Sequence, residues 1–401
     1  MFPCAKMLFK SISSSIKFSG PSSVRLYSTG LLKTPLHELH IELGGKMVEY
    51  AGFDMPVLYK DQTHIESHNW TRQKAGLFDV SHMLQHRISG PGSTEVLEKI
   101  TPSDLKGLIP FTSTLSVLLN EKGGIVDDTI ISKHGEDEFY IVTNAGCREK
   151  DLAFIKKAIA DHGSSSIKHE TIGGGLLALQ GPSAAAALQK FTAFDLKDIK
   201  FGESAFVPIL GDRYHVARGG YTGEDGFEVS IPKDEVSLQF ASELLKLDDV
   251  KPIGLAARDS LRLEAGMCLY GHEMNEDTTP VEAALSWVIG KRRRTEGGFN
   301  GFDLISEQLA NKTKNVRVGF TVTGPAARDG SKIFSPEDSS TPIGWVTSGS
   351  MSPTLKVNIG MAYVPRKFAK SGTPIQVEVR GKQREGKIQK MPFITPNYYR
   401  G

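Results

Sequence analysis

Three cysteines among 401 residues are too few for a disulfide framework. Cys4 falls in the first thirty residues, and Cys147 and Cys268 lack the spacing of a metal site. Such a chain suits a reducing compartment. No apolar run approaches the ~20 residues that a membrane-spanning helix needs. Net charge is small, +2, and Lys6, Lys10, Lys17 and Arg25 more than account for it. The rest is close to neutral, which argues against nucleic acid as the main partner. A G-x-S-x-G elbow and a Walker loop are both missing. Gly173-Gly174-Gly175 with Ala178 fits dinucleotide-fingerprint spacing, but no apolar strand precedes it and Pro182 would cut the helix that must follow. His37 and His40 are one residue short of zinc-protease spacing, and His64 and His68 have no evident third ligand.

Acidic residues are also missing before Glu38. What stands there instead is Ser-rich sequence with spaced Lys and Arg, the composition of a mitochondrial transit peptide. Arg25-Leu26-Tyr27-Ser28 reads as the processing site, so residues 1–28 are set aside from the fold. The remainder is long enough for two or three domains. Amphipathic or polar helices are expected at 36–43, 61–76, 93–100, capped by Ser93, 151–162 and 255–265. Strands are expected at 139–143 and 227–231. Strands mixed with helices and hairpins suggest an α+β body. Past residue 315 only short strands remain, at 316–322, 344–347 and 375–379, separated by Gly and Pro turns. They read as a small β-barrel. The boundary falls between residues 290 and 315.

The most informative stretch is Gly123-Gly124-Ile125-Val126-Asp127-Asp128-Thr129-Ile130. Apolar residues 115–119 precede it, and Asn120 with the two glycines supplies turn chemistry, so the whole reads as a β-hairpin. Side chains alternate along a strand. Val126, Asp128 and Ile130 then share one face, and Asp127 shares the other with Ile125, Thr129 and Ile131. Asp128 therefore sits on an apolar face, which is costly unless something pairs with it. Either it bonds a nearby backbone N–H, or it is an acid held in a dry pocket for a ligand. Asp127 is expected to tolerate Asn better than Asp128 does. In 227–231 the alternation puts Glu228 on a solvated face. Arg258 borders an apolar helical stripe and is open to pairing with a nearby acid. Arg292-Arg293-Arg294 is a cationic run near the boundary, either paired within the chain or free to receive an acidic partner.

Four motifs occur in order: Leu77-Phe78-Asp79-Val80-Ser81-His82-Met83, Gly123-Gly124-Ile125-Val126-Asp127-Asp128, Gly220-Tyr221-Thr222-Gly223-Glu224-Asp225-Gly226 and Ala257-Arg258-Asp259-Ser260-Leu261-Arg262-Leu263-Glu264-Ala265-Gly266. Together they resemble the aminomethyltransferases, the T-proteins of the glycine cleavage system, from about Thr34 to Tyr399. The resemblance implies a three-domain cloverleaf, with two interleaved α+β domains over 31–290 and a β-barrel over 310–401. It implies transfer of the one-carbon unit from the aminomethyl-dihydrolipoyl arm of H-protein to tetrahydrofolate, releasing ammonia and forming 5,10-methylenetetrahydrofolate. Tetrahydrofolate would be a co-substrate, the lipoyl group would come with the H-protein, and no metal would be needed. H-protein would be the partner, with the P- and L-proteins in the wider system, and neither nucleic acid nor membrane. The expected location is the mitochondrial matrix. By position, Asp128 matches the family's essential acid. Glu228, against its solvent-facing pattern, matches the acid that bonds the pterin. Arg258 and Tyr398 match folate-binding residues, and Tyr221, Met83 and Asn144 match pocket wall. A folate-binding iron–sulfur cluster assembly factor of the same fold is the alternative. Its Lys-Gly-Cys-Tyr-x-Gly-Gln-Glu motif is replaced here by Gly266-Met267-Cys268-Leu269-Tyr270-Gly271-His272-Glu273.

Overall fold

The computed structural model describes residues 30–401. The expected transit peptide lies outside the described residues. Two large, mainly antiparallel sheets, a two-stranded ribbon of Gly45–Tyr50 with Phe53–Tyr59, and a closed barrel make up the α+β fold. The first sheet has six strands, in the order Ser204–Ile209, Asp212–Arg218, Gly226–Ile231, Gly175–Gln180, Ala75–Asp79 and Val250–Pro252. Its last pair is parallel. The second has five, in the order Ser113–Leu119, Ile125–Gly135, Glu138–Thr143, Leu84–Ser89 and Lys168–Ile172. The second sheet is continuous in sequence, from Leu84 to Ile172, whereas the first is split: its strand Ala75–Asp79 precedes that stretch and its other five strands follow it.

Burial explains the layering. Phe227, Val229 and Ile231 alternate onto one face of the first sheet and pack beneath the helices Ala184–Gln189 and Asp234–Leu245. Ile131, Phe139 and Ile141 do the same in the second sheet, with Leu97 and Ile155 from the helices Ser93–Ile100 and Arg148–His162. The inner faces meet each other through Phe78, Tyr140, Val142, Leu176 and Ala178. The reverse side of the strand Gly226–Ile231 therefore does not face bulk solvent. Ser230 on that side is buried and donates to Gln85 Oε1 at 2.5 Å.

Among the α-helices of the described residues, only His64–Gln73 has a side-chain N-cap. Thr63 and Glu66 form a reciprocal capping box on the helix His64–Gln73. Ser93, expected to cap, is instead the first helical residue. Gly92 in the left-handed conformation precedes it, and the Ser93 hydroxyl donates to the Gly90 carbonyl.

The barrel closes because the strand Asn315–Val322 pairs with both Asn358–Pro365 and Lys382–Gln389. Its inward residues, among them Phe320, Ile333, Val346, Ala362 and Val377, form a separate core. The helix Leu255–Glu264 ties the barrel to the sheets. Leu263 packs on Ile359 and Met361, and Arg262 bonds Glu273 at 2.9 Å and Ser348 at 2.9 Å.

Candidate active site

The expected hairpin forms, Ser113–Leu119 against Ile125–Gly135. Two glycines are required at its turn. Gly123 has φ +81°, and a Cβ on Gly124 would run into the Glu276 carbonyl oxygen. Asn120 Oδ1 accepts from the backbone N–H groups of Lys122 and Gly124 at 2.9 and 3.0 Å. The ladder then slips: Leu119 opposes Ile125, Leu118 opposes Asp127 and Val117 opposes Asp128. Val126 is the extra residue of a bulge. It packs with Leu118 and Ile131, whereas Ile125 joins Val117 and Leu119. Strict alternation thus assigned Val126 and Ile125 to the wrong faces. The two aspartates still point to opposite sides.

Asp128 opens onto a cavity of 1410 Å³. It is half-buried, and Asp127 behind it is completely buried. Burial, reinforced by the Asp127 charge, pushes the Asp128 carboxyl up to about 7, against the opposing hydrogen bond from Asn144. Asn144 joins the two acids. Its backbone N–H donates to Asp127 at 2.8 Å, and its amide donates to Asp127 Oδ1 at 2.9 Å and to Asp128 Oδ1 at 2.8 Å.

The same cavity brings together all seven residues singled out from the sequence: Met83, Asp128, Asn144, Tyr221, Glu228, Arg258 and Tyr398. Glu228 lies on the inner face of its sheet, opposite Ala217 and Ala178. The solvated-face reading fails because the second sheet and the barrel cover that side. Burial raises the Glu228 carboxyl while the charge of Arg258 draws it back down, and no hydrogen bond holds it among the described residues. Arg258 lies 4.7 Å from the Tyr221 ring centroid. The acids of its own helix neighbourhood, Asp259 and Glu273, are taken by Arg262 at 2.8 and 2.9 Å. The Tyr221 hydroxyl donates to the Cys268 carbonyl, and burial pushes its ionisation well above the usual phenol range. Tyr398 reaches the cavity because the C-terminal segment crosses back to the first sheet. There the Asn397 N–H donates to the Gly223 carbonyl at 2.8 Å, and the Tyr398 ring stacks on Phe201 at 4.0 Å. Leu115, Ile130, Val142 and Leu176 supply apolar wall.

A family described as the GCVT N-terminal domain matches residues 36–293, and one described as the glycine cleavage T-protein C-terminal barrel domain matches residues 315–394. The chain belongs to the glycine cleavage T-protein family. A mitochondrial aminomethyltransferase of Saccharomyces cerevisiae is 54% identical over 390 residues, 93% of this chain and 97% of that one. The mitochondrial aminomethyltransferase of Canis lupus familiaris is 46% identical over 372 residues, 92% of this chain and 91% of that one. The crystal structure of glycine cleavage system aminomethyltransferase T from Bartonella henselae superposes with a TM-score of 0.86 at 36% identity. It covers 92% of this chain and all of that one.

Within this T-protein, two site features escaped the sequence. Asp127 is the drier acid of its pair, with no exposed surface. Asp151, also fully buried, packs behind it. A signal existed: Asp151 lies four residues before Ile155, hence on the same helical stripe, an acid where apolar residues belong. The arginine run, by contrast, is used internally. Arg292 pairs with Glu98, Asp104 and Glu296 at 2.5, 2.8 and 2.5 Å. Arg293 is buried against Glu98, and Arg294 donates to the carbonyls of Ile289 and Ser286.

Proposed function

We propose that this aminomethyltransferase takes the one-carbon unit from the aminomethyl-dihydrolipoyl arm of an H-protein and passes it to tetrahydrofolate. Ammonia is released and 5,10-methylenetetrahydrofolate is formed. The observation that carries the reading is the convergence of Met83, Asp128, Asn144, Tyr221, Glu228, Arg258 and Tyr398, from distant parts of the chain, on one cavity. At 1410 Å³ it exceeds the roughly 300–1,000 Å³ of an ordinary single-ligand pocket, which suits two reactants meeting inside it.

The residues fit a reduced folate. Glu228 is an acceptor-only group without a hydrogen-bond partner among the described residues, matched to a ring edge rich in N–H donors. Among the described residues Arg258 makes no carboxylate ion pair, Asp259 and Glu273 being held by Arg262, so it can receive an anionic or carbonyl oxygen. Met83 and Tyr221 offer flat or pliable apolar surface for a ring. When bound, the folate supplies the nitrogen that takes up the carbon. The protein holds that nitrogen against the aminomethyl carbon while apolar walls keep water away. Asp128 faces the site of bond exchange. As a carboxylate it stabilises positive charge on the carbon when ammonia departs, and with a pKa near neutrality it can also move a proton.

Purified protein, aminomethylated H-protein and tetrahydrofolate should yield ammonia and methylenetetrahydrofolate in equal amounts. Folate binding without either product would refute the assignment and favour a folate-binding factor. The matrix location rests on residues 1–28. Deleting them should leave an active enzyme that isolated mitochondria no longer import, and normal import of the shortened chain would contradict this.

A further inference from the structure

Behind Asp128, on the other face of its strand, lie three groups that this reaction does not use. Asp127, Cys147 and Asp151 each bring one side-chain atom within 4.8 Å of the others. Both aspartates are 0% exposed. Asp127 accepts two hydrogen bonds from Asn144, but among the described residues no donor reaches either oxygen of Asp151. A buried carboxylate without a partner is strongly disfavoured, and two carboxylates side by side cannot both ionise. The contradiction disappears if one of them carries a proton, because a protonated carboxyl donates and a carboxylate accepts.

We propose that Asp127 and Asp151 share one proton, with Asp151 donating to Asp127, and that this pair locks the Asn144 amide so that it orients Asp128. Asp151 is then a positioning residue acting through Asp127 and Asn144, and the inference rests on the role proposed for Asp128. The Asn144 amide has two protons, one directed to Asp127 Oδ1 and the other to Asp128 Oδ1. A flipped amide would aim its carbonyl at two carboxyl groups, so the pair fixes one orientation. The shared proton also removes one negative charge from behind Asp128.

The other groups facing the pair agree. The Cys147 thiol is pushed up by burial and by both acids, so it stays protonated and is a poor metal ligand. The Thr143 hydroxyl is neutral. The Lys150 ammonium comes from the same helical turn as Asp151, but the Tyr270 hydroxyl and Glu276 engage it at 2.7 and 3.0 Å. Burial and then the Asp127 charge raise the Asp151 carboxyl to about 9, with Lys150 opposing.

Infrared spectra of the whole protein, recorded across pH, test the pair directly. A protonated-carboxyl band should persist at a pH of about 8, well above the ordinary carboxylate range. It should disappear in Asp151→Asn and survive in Asp128→Asn, so the pair stands or falls separately from the catalytic reading. Asp151→Asn keeps a donor toward Asp127 and should retain most of the turnover and the pH profile. Asp151→Ala removes that donor. Turnover should fall about tenfold, the acid limb of the profile should move upward, and KM for folate should hold. No persistent band in the wild type would overturn the proposal. So would a band retained in Asp151→Asn, equal losses in the Asn and Ala variants, or a stoichiometric metal ion in the purified protein. If neither variant folds, the wild-type band still decides.

Discussion

Asp127 and Asp128 are adjacent in sequence yet meet different surroundings, because one strand turns them to opposite faces. Asp128 meets a cavity and Asp127 meets protein. Replacing Asp128 by Asn keeps the shape and the Asn144 contact geometry but removes the charge. Turnover should fall roughly 100-fold or more, the scale of losing one aimed electrostatic group. Tetrahydrofolate affinity should change far less, since Glu228 and Arg258 remain. The same variant should be more stable than the parent. The folded chain raises this carboxyl from 3.8 to about 7, so it binds a proton that the unfolded chain has released. Stability therefore falls as pH rises across that window. The gain from Asn should be largest above pH 7, about 1–2 kcal/mol after allowance for cavity exposure, and shrink towards pH 4. Thermal unfolding across pH, beside steady-state assays, checks both halves. A folded variant with near-normal turnover would remove Asp128 from the reaction. Alternation along the strand was enough to separate the two acids. It could not show that the outer one was dry, because the covering helix and Asp151 come from elsewhere in the chain.

At the level of elements, the hairpin turn and the helix Leu255–Glu264 set the positions of Asp128 and Arg258. Gly124→Ala would press a methyl group against the Glu276 carbonyl. The expected cost is about 1–3 kcal/mol, with turnover lowered because the turn carries Asp128's strand. Urea unfolding should show the loss as a lower midpoint at unchanged slope. The helix is fixed by Glu264 at its end. Glu264 accepts from His68 at 3.0 Å, Arg72 at 2.8 Å, Ser352 at 2.5 Å and the Thr354 hydroxyl at 2.7 Å. Burial alone would raise its carboxyl, but the hydrogen bond and charge of His68, with Ser352 and Arg72, outweigh that and hold it at about 2. Its stabilisation is complete above its ordinary 4.5 and is lost as pH falls toward 2. Glu264→Gln should cost about 3 kcal/mol at neutral pH, and the difference should shrink as the solution is acidified. A constant difference at every pH would mean that packing, not charge, is what the residue supplies. Turn chemistry and helical period were legible in sequence here. Glu264's partners were not, since they sit on the helix His64–Gln73 and on a loop of the barrel.

Across the whole molecule, the arginine run shows how a surface-like sequence becomes internal. Arg292 binds the stretch Lys291–Glu296 to Glu98 and Asp104, beside the helix Ser93–Ile100. Arg292→Glu would place a fourth carboxylate among Glu98, Asp104 and Glu296. Stability should drop by about 1–2 kcal/mol, less than for a fully buried pair because Arg292, Asp104 and Glu296 keep part of their surface in solvent. Loss of H-protein affinity at unchanged stability would restore the docking reading. The sequence by itself determined the hairpin, the five helices expected from it, the β-barrel at the C-terminal end, and through four ordered motifs the family and its candidate residues. Those signals are local: side-chain period, turn residues and short spacings act within one element. Only the tertiary structure decided which sheet each strand joined, because the whole second sheet is inserted between Ala75–Asp79 and Gly175–Gln180 of the first, and pairing energy depends on neighbours remote in sequence. Tertiary contact also turned Glu228 inward, consumed the arginine run and buried Asp127 against Asp151. Burial, partner and charge at those positions are set by what packs over them, and that packing is contributed by residues far along the chain.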